Sequence, residues 1–193
     1  MRVRHLGMML PLVVLLSQDA GASVVMEMSD EEMAVRADVV VRGQVVAARS
    51  RQGERSIVTD YTIRVEEKLK GDVRGAVVVT ELGGRIGERR HFAPGTPSYR
   101  VGDHVVAFLF RHGTELRTVG MAQGLFFVRT DAAGDEILLR DLGHTTLAAP
   151  DSDGMIRPDT TLTQQTEAPR TIGGMRALVV AQGGNRRGTD ARP

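Results

Sequence analysis

From Ser56 to Glu66 the chain alternates. Ile57, Thr59, Tyr61, Ile63 and Val65 fall on one face, and Ser56, Asp60, Thr62, Arg64 and Glu66 on the other. A period of two belongs to a β-strand with one face in a core and one in water. The stretch ADVVVRGQVVAARS, Ala37 to Ser50, has the same period. Val39, Val41, Val45 and Ala47 point one way, with Gly43 among them, and Arg42 and Gln44 point the other way. Arg51-Gln52-Gly53-Glu54 separates the two runs and reads as a turn, so they form a long hairpin. The remaining elements must cover its apolar face.

Those elements are mostly strands as well. Ala76 to Leu82 is rich in valine, and His104 to Phe110 is a fourth strand. Leu116 to Gly120 and Leu125 to Arg129 read as a fifth strand, interrupted at Met121 to Gly124 by a bulge. Ile137 to Arg140 is a sixth. Gly83 to Arg100 reads as a long loop, punctuated by Gly84, Gly87, Pro94 and Pro97. Ser29-Asp30-Glu31-Glu32 is a capping box, and it predicts a short helix to about Ala37. There is no βαβ alternation. The fold class is mostly β: a closed or partly open antiparallel OB-like barrel over residues 23–142, or a sandwich, with a short N-terminal helix. A polar linker or extension follows over 143–170, then a short helix over 171–182 and a disordered tail over 183–193. The C-terminal extension as a whole is expected to be poorly ordered.

The first 22 residues read as an export signal. Arg2, Arg4 and His5 make a basic start, Leu6 to Leu16 is apolar, and Ala20-Gly21-Ala22 has small-x-small spacing. The apolar run is shorter than the ~20 residues a spanning helix needs, so no stable membrane anchor is expected. Removing residues 1–22 leaves 171 residues, with 23 basic and 23 acidic side chains. A neutral chain sets up no field toward nucleic acid or membrane. There is no cysteine, so an exported chain of this kind is held by packing alone rather than by disulfides.

The sequence offers little for catalysis. His5 lies in the signal; His91, His104, His112 and His144 are spread along the chain without ligand spacing. Neither Ser56 nor Ser98 has the glycines of a nucleophile elbow. Gly83-Gly84-Arg85-Ile86-Gly87 lacks the Lys-Ser/Thr and the helix that a phosphate-binding loop requires. Arg85, Arg89, Arg90, His91 and Arg100 make the long loop basic. Only Phe92 and Tyr99 lie near enough to stack on bases, so an anionic partner fits this loop better than a nucleic acid.

ADVVVRGQVV, then YTIRVEEKLKGD, then a valine strand and YRVGDHVVAFL together resemble the N-terminal domain of the tissue inhibitors of metalloproteinases, and the wider netrin-like family. The similarity covers Ser23 to Gly124. YRVGDHVVAFLF and GMAQGLFFV also resemble a set of exported bacterial proteins. The resemblance implies a five-stranded OB barrel with a helix before its first strand. In those inhibitors the N-terminal amine and carbonyl of a Cys chelate the zinc of the protease. Ser23 would hold the corresponding position here.

The chain thus reads as an exported, monomeric binding module and not an enzyme, with no cofactor or metal of its own. Its expected partner is a protein or peptide outside the cytoplasm, a secreted metalloprotease among the candidates. Ser23, Val24, Val25 and Met26 of an extended tail, with Arg85, Arg89 and Arg90 of the loop, are the expected contact residues. Two alternatives stay open: a small enzyme at the barrel mouth using His91, His104 or His112, and a structural envelope protein. Histidines gathered with a carboxylate in one cleft favour the enzyme; an apolar or arginine-rimmed exposed patch favours the binder. The export reading predicts Ser23 as the first residue of the exported protein by mass spectrometry. A cytosolic chain that retains Met1 contradicts it.

Overall fold

The structure, a computed structural model, describes residues 23–142, 145–150, 153, 155–158 and 170–185. The expected signal and the last residues of the expected tail, 186–193, lie outside the described residues. The described chain is mostly β with two helices.

The long hairpin is there. Strand β2 is Val39–Gln52 and β3 is Ile57–Lys70, paired antiparallel along their length. Ahead of them, β1 is Ser23–Met26 and helix α1 is Asp30–Arg36. The Ser29 hydroxyl accepts from Glu32 N, and the Glu32 carboxylate accepts from Ser29 N, which completes the capping box. After the hairpin come β4 (Ala76–Leu82), β5 (Gly84–Ile86), β6 (Arg89–His91) and β7 (His104–His112). Then follow β8 (Glu115–Thr118), a 3-10 helix (Met121–Gly124), β9 (Leu125–Thr130) and β10 (Glu136–Arg140).

Five of these strands form a ring. β7 pairs with β2, β2 with β3, β3 with β4, β4 with β8, and β8 returns to β7. All the pairings but one are antiparallel; β4 and β8 run parallel through the single pair Val79↔Leu116. The sheet is therefore mixed, not wholly antiparallel as the sequence suggested. The reason is arithmetic. Strand directions cannot alternate around an odd-numbered ring, so one parallel pair is forced. Register shifts near Val40, Gly43 and Val45 let the long strands coil around the ring. At Gly43 the chain approaches β3 so closely that a Cβ would lie 2.2 Å from the Arg64 carbonyl oxygen.

The expected interruption of the fifth strand is a 3-10 excursion. β8 and β9 lie along the same edge of β7, at Leu109–His112 and Val105–Ala107. The excursion between them carries Gln123, which is fully buried. Its Oε1 accepts from Met28 N at 2.9 Å and its Nε2 donates to the Met26 carbonyl at 2.9 Å. One amide thus ties the N-terminal segment to the ring.

Two cores explain the valine runs. Inside the ring lie Val39, Val41, Val45, Ile63, Val77, Val79, Val105, Ala107 and Leu109. Outside it, Val40, Val106, Phe108, Phe126 and Leu138 pack against α1 and against helix α2, Ile172–Asn185. Val39–Val41 of β2 and Val105–Leu109 of β7 are therefore buried on both faces, which is why these stretches read as unbroken apolar runs.

The C-terminal half departs from expectation. Within the polar stretch 143–170, Thr145–Pro150 forms β11, which pairs parallel with β1 and antiparallel with β12, Ile156–Pro158. Leu147 and Ala148 are buried there; a short apolar run was masked by its polar surroundings. Arg170–Thr171 is β13, paired with β10. Helix α2 runs to Asn185, beyond the expected end, despite Gly173, Gly174 and Gly183. Ile172, Met175 and Val179 anchor it in the outer core, and the Thr171 hydroxyl accepts from Gly174 N. Described residues of the extension are thus packed elements rather than loose chain.

The alternation of β3 can be tested by substitution. Ile63 is fully buried and Arg64 is exposed. Ile63→Asp buries an unpaired charge and is expected to cost roughly 4 kcal/mol. Arg64→Asp is expected to cost under about 1 kcal/mol. Equal shifts of the chemical-denaturation midpoint contradict this assignment of faces.

Candidate functional site

The ring is closed by side chains where its ladder is thinnest. Glu81, on the inner face of β4, is 7% exposed. Its Oε1 accepts from the Thr118 backbone N at 2.8 Å and from the Thr118 hydroxyl at 2.7 Å. A hydroxyl has one proton, so Thr118 in turn accepts from the Tyr99 hydroxyl, 2.6 Å away. Tyr61 packs on Tyr99 with ring centroids 5.0 Å apart. Burial pushes the Glu81 carboxyl up to about 7, and the two Thr118 donors only partly offset this. Burial also raises the Tyr99 and Tyr61 hydroxyls above their ordinary value.

A charged network crosses the outside of the same seam. Arg51, near the hairpin tip, donates to Asp60 from Nε at 2.6 Å and to Glu115 of β8 from Nη2 at 2.8 Å. Arg117 donates to the other oxygen of Glu115, and Thr80 to Asp60. The Arg51 and Arg117 guanidiniums hold Glu115 below the usual carboxylate range. Burial raises Asp60, but bonds from Arg51 and Thr80 outweigh it and the net shift is downward. Beside this network opens a cleft of about 570 Å³, lined by Arg51, Arg55, His112, Glu115 and Arg117 among others.

The loop 83–100 is not structureless, as the sequence suggested; β5 and β6 form a hairpin within it. Gly87, with φ of 58°, takes the first central position of the two-residue turn, the signature of type II′. The hairpin rests on the tip of β2–β3. Arg85 N donates to the Ser50 hydroxyl and Arg89 reaches Gln52. A Cβ on Gly84 would lie 2.3 Å from Thr59 Oγ1, so only glycine permits this approach. Gly84 is paired with His91, and Arg85 with Arg90. Alternation then turns Gly84 and His91 toward the ring and Arg85 and Arg90 away from it. Phe92 follows at 64% exposure and borders a cleft of about 150 Å³ with Tyr61, His91 and Thr96. His91 Nδ1 and Thr96 Oγ1 are buried there without a hydrogen-bond partner.

The expected contact residues fall into two groups. Arg85, Arg89 and Arg90 share the hairpin. Ser23, Val24, Val25 and Met26 form β1, paired with β11 in a separate sheet rather than free as a tail. Among the described residues the histidines are not gathered; His5 and His144 lie outside them. His104 and His112 end β7 about 26 Å apart, given ~3.3 Å per residue. His104 lies against Glu66, and His91 is on the hairpin. Among the described residues no group of three or more His, Asp or Glu is placed to hold a metal ion, and no helix is long and apolar enough to cross a membrane. Sequence reading missed the Glu81–Thr118–Tyr99 chain, which joins three separated segments with no local signal. The Arg85–Arg90 opposition was readable in Arg-Ile-Gly-Glu-Arg-Arg once a two-residue Gly-Glu turn is recognised.

Comparison with protein-family models, with curated proteins and with solved structures found no match to this chain.

Glu81 gives a pH dependence with a definite sign. Its carboxyl titrates near 7 in the fold against about 4.5 unfolded, so the fold favours its protonated form. That contribution is full below pH 4.5, falls as pH rises toward 7, and is flat above. Its span is on the order of 3 kcal/mol. Asp60, Glu67 and Glu115 are shifted down, so they stay ionised between pH 5 and 8 and do not mask the effect. Stability from urea unfolding is expected to fall across that interval. Glu81→Gln, which keeps an acceptor for Thr118, is expected to flatten the fall; an unchanged slope contradicts the assignment.

Proposed function

We propose that this chain is an exported, non-catalytic binding module on an OB-like barrel that captures a protein or peptide outside the cytoplasm. The observation that carries the reading is the β5–β6 hairpin, which turns two arginines outward and is followed directly by an exposed phenylalanine. Arginine and aromatic side chains dominate the energetics of protein interfaces. The dispersal of the histidines supports a binder over an enzyme. The five-stranded ring with a capped helix ahead of it supports the OB-like assignment, and with it the netrin-like resemblance.

A secreted metalloprotease is the more specific partner, and one observation favours it. Among the described residues β1 stands at the edge of its sheet with Val24 and Met26 exposed, so a strand can add ahead of Met26, whose carbonyl is taken by Gln123. Its pairing with β11 orders the chain next to Ser23, a role that a chain without cysteines cannot give to disulfides.

The test is capture from the native secretome by three immobilised forms: one starting at Ser23, one with a residue added before it, and one starting at Ser29. The module reading predicts a defined partner on the first form, confirmed with purified components. Retention of nothing by any form contradicts it. A metalloprotease held and inhibited only by the first form supports zinc chelation by the Ser23 amine. Equal retention by all three moves the contact to the ring or the hairpin.

A further inference from the structure

Several arginines of this protein are tied to carboxylates. Arg42 pairs with Glu136, Arg51 with Asp60 and Glu115, Arg129 with Asp103, Arg140 with Asp30, and Arg176 with Glu67. The hairpin does the opposite. Arg85 and Arg90 stand directly across from each other in the β5–β6 ladder. Directly opposed residues have Cβ atoms about 5 Å apart, and like charges there are destabilising. Neither guanidinium forms an ion pair among the described residues. Arg85 Nε donates to the Gly87 carbonyl at 2.8 Å, which steadies its side chain along the turn. The fold gains nothing from two opposed cations; a bridging oxyanion relieves their repulsion with charge-assisted hydrogen bonds from both.

Phe92 adds a second requirement. Phe92 leaves the hairpin two residues after Arg90 and is 64% exposed, so apolar surface lies close to the arginine pair. A ligand for this face has carboxylates spaced along a backbone and an apolar group next to them. We infer that the outward face of the β5–β6 hairpin, formed by Arg85, Arg90 and Phe92, docks an acidic, extended protein segment whose carboxylates bridge the two guanidiniums. This rests on the binding-module reading and names the chemistry of its partner. A single-stranded nucleic acid fits less well. Stacking of successive bases needs a row of exposed aromatics, and among the described residues Phe92 is the one exposed aromatic side chain of that kind. The chain as a whole carries 25 basic against 24 acidic residues, with no excess charge for a polyanion.

The experiment measures fluorescence anisotropy of the protein starting at Ser23 with three probes. They are a short labelled peptide rich in Asp and Glu with one central Leu, its Asn/Gln counterpart, and oligo-dT. The acidic peptide is expected to bind, to weaken with added salt, and to lose about tenfold or more in affinity to the R85Q/R90Q variant. Arg74→Gln, an exposed arginine elsewhere, is expected to leave binding unchanged. The double variant is expected to stay folded, because the repulsion it removes offsets the exposed Arg85–Gly87 hydrogen bond it loses. Four results overturn the inference: no binding of the acidic peptide, equal binding of the neutral one, tighter binding of oligo-dT, or undiminished binding by R85Q/R90Q. Secretome capture that survives R85Q/R90Q overturns it while keeping the module reading. Loss of capture by every form of the parent protein fails the module reading instead.

Discussion

Everything in this fold depends on closing a ring of five strands. An odd ring forces one parallel pairing, and here the parallel seam between β4 and β8 has shrunk to a single residue pair. Backbone bonds alone cannot hold such a seam, so side chains take over. Glu81 reaches across inside the ring to both donors of Thr118, and Arg51 reaches across outside it to Glu115. The inner contact places a carboxyl where its charged form is disfavoured. The outer one is half-exposed and screened by solvent, as ion pairs near a surface are. The ring is therefore closed by a group whose protonation state matters to it.

Closure also decides what the surface presents. Because Val39–Val41 of β2 and Val105–Leu109 of β7 are buried on both faces, the ring's surface character comes from β3, β4, the outer half of β2 and the loops. The hairpin tip of β2–β3 curls far enough for Arg51 to meet β8, and its inner face then becomes the seat of the β5–β6 hairpin. Gly84 sets the depth of that seat. The outward arginines are thus carried on a short element fixed to the tip of the β2–β3 hairpin. Loops positioned by a rigid scaffold are where binding residues concentrate.

The strands that alternate were legible because one face meets the core and the other meets water. Ile57 to Val65 and the Ser29–Glu32 cap are the clearest cases. The interruption at Met121 to Gly124 was legible as a break in an apolar run, but it is a 3-10 turn rather than the bulge expected. Three things were hidden. Thr145–Pro150 owes its burial to pairing with β1, more than a hundred residues earlier in the chain. Helix α2 survives its glycines because Ile172, Met175 and Val179 are packed by α1 and the sheet, a tertiary override of weak propensity. The Glu81–Thr118–Tyr99 chain joins residues brought together only by closure. Of the candidate site, the arginine types and their neighbourhood were visible in the sequence. Their opposition follows from a two-residue Gly87-Glu88 turn, a signal present in the sequence but overlooked in a loop so rich in glycine and proline.

The most direct test of closure is a carbon-13 NMR titration of the Glu81 side-chain carboxyl, with the Thr118 amide followed in the same samples. A closed ring predicts a carboxyl midpoint near 7 and a Thr118 amide shift with the same midpoint. A carboxyl that titrates near 4.5, with Thr118 indifferent to it, would mean that Glu81 is solvated and that the seam is not closed as described.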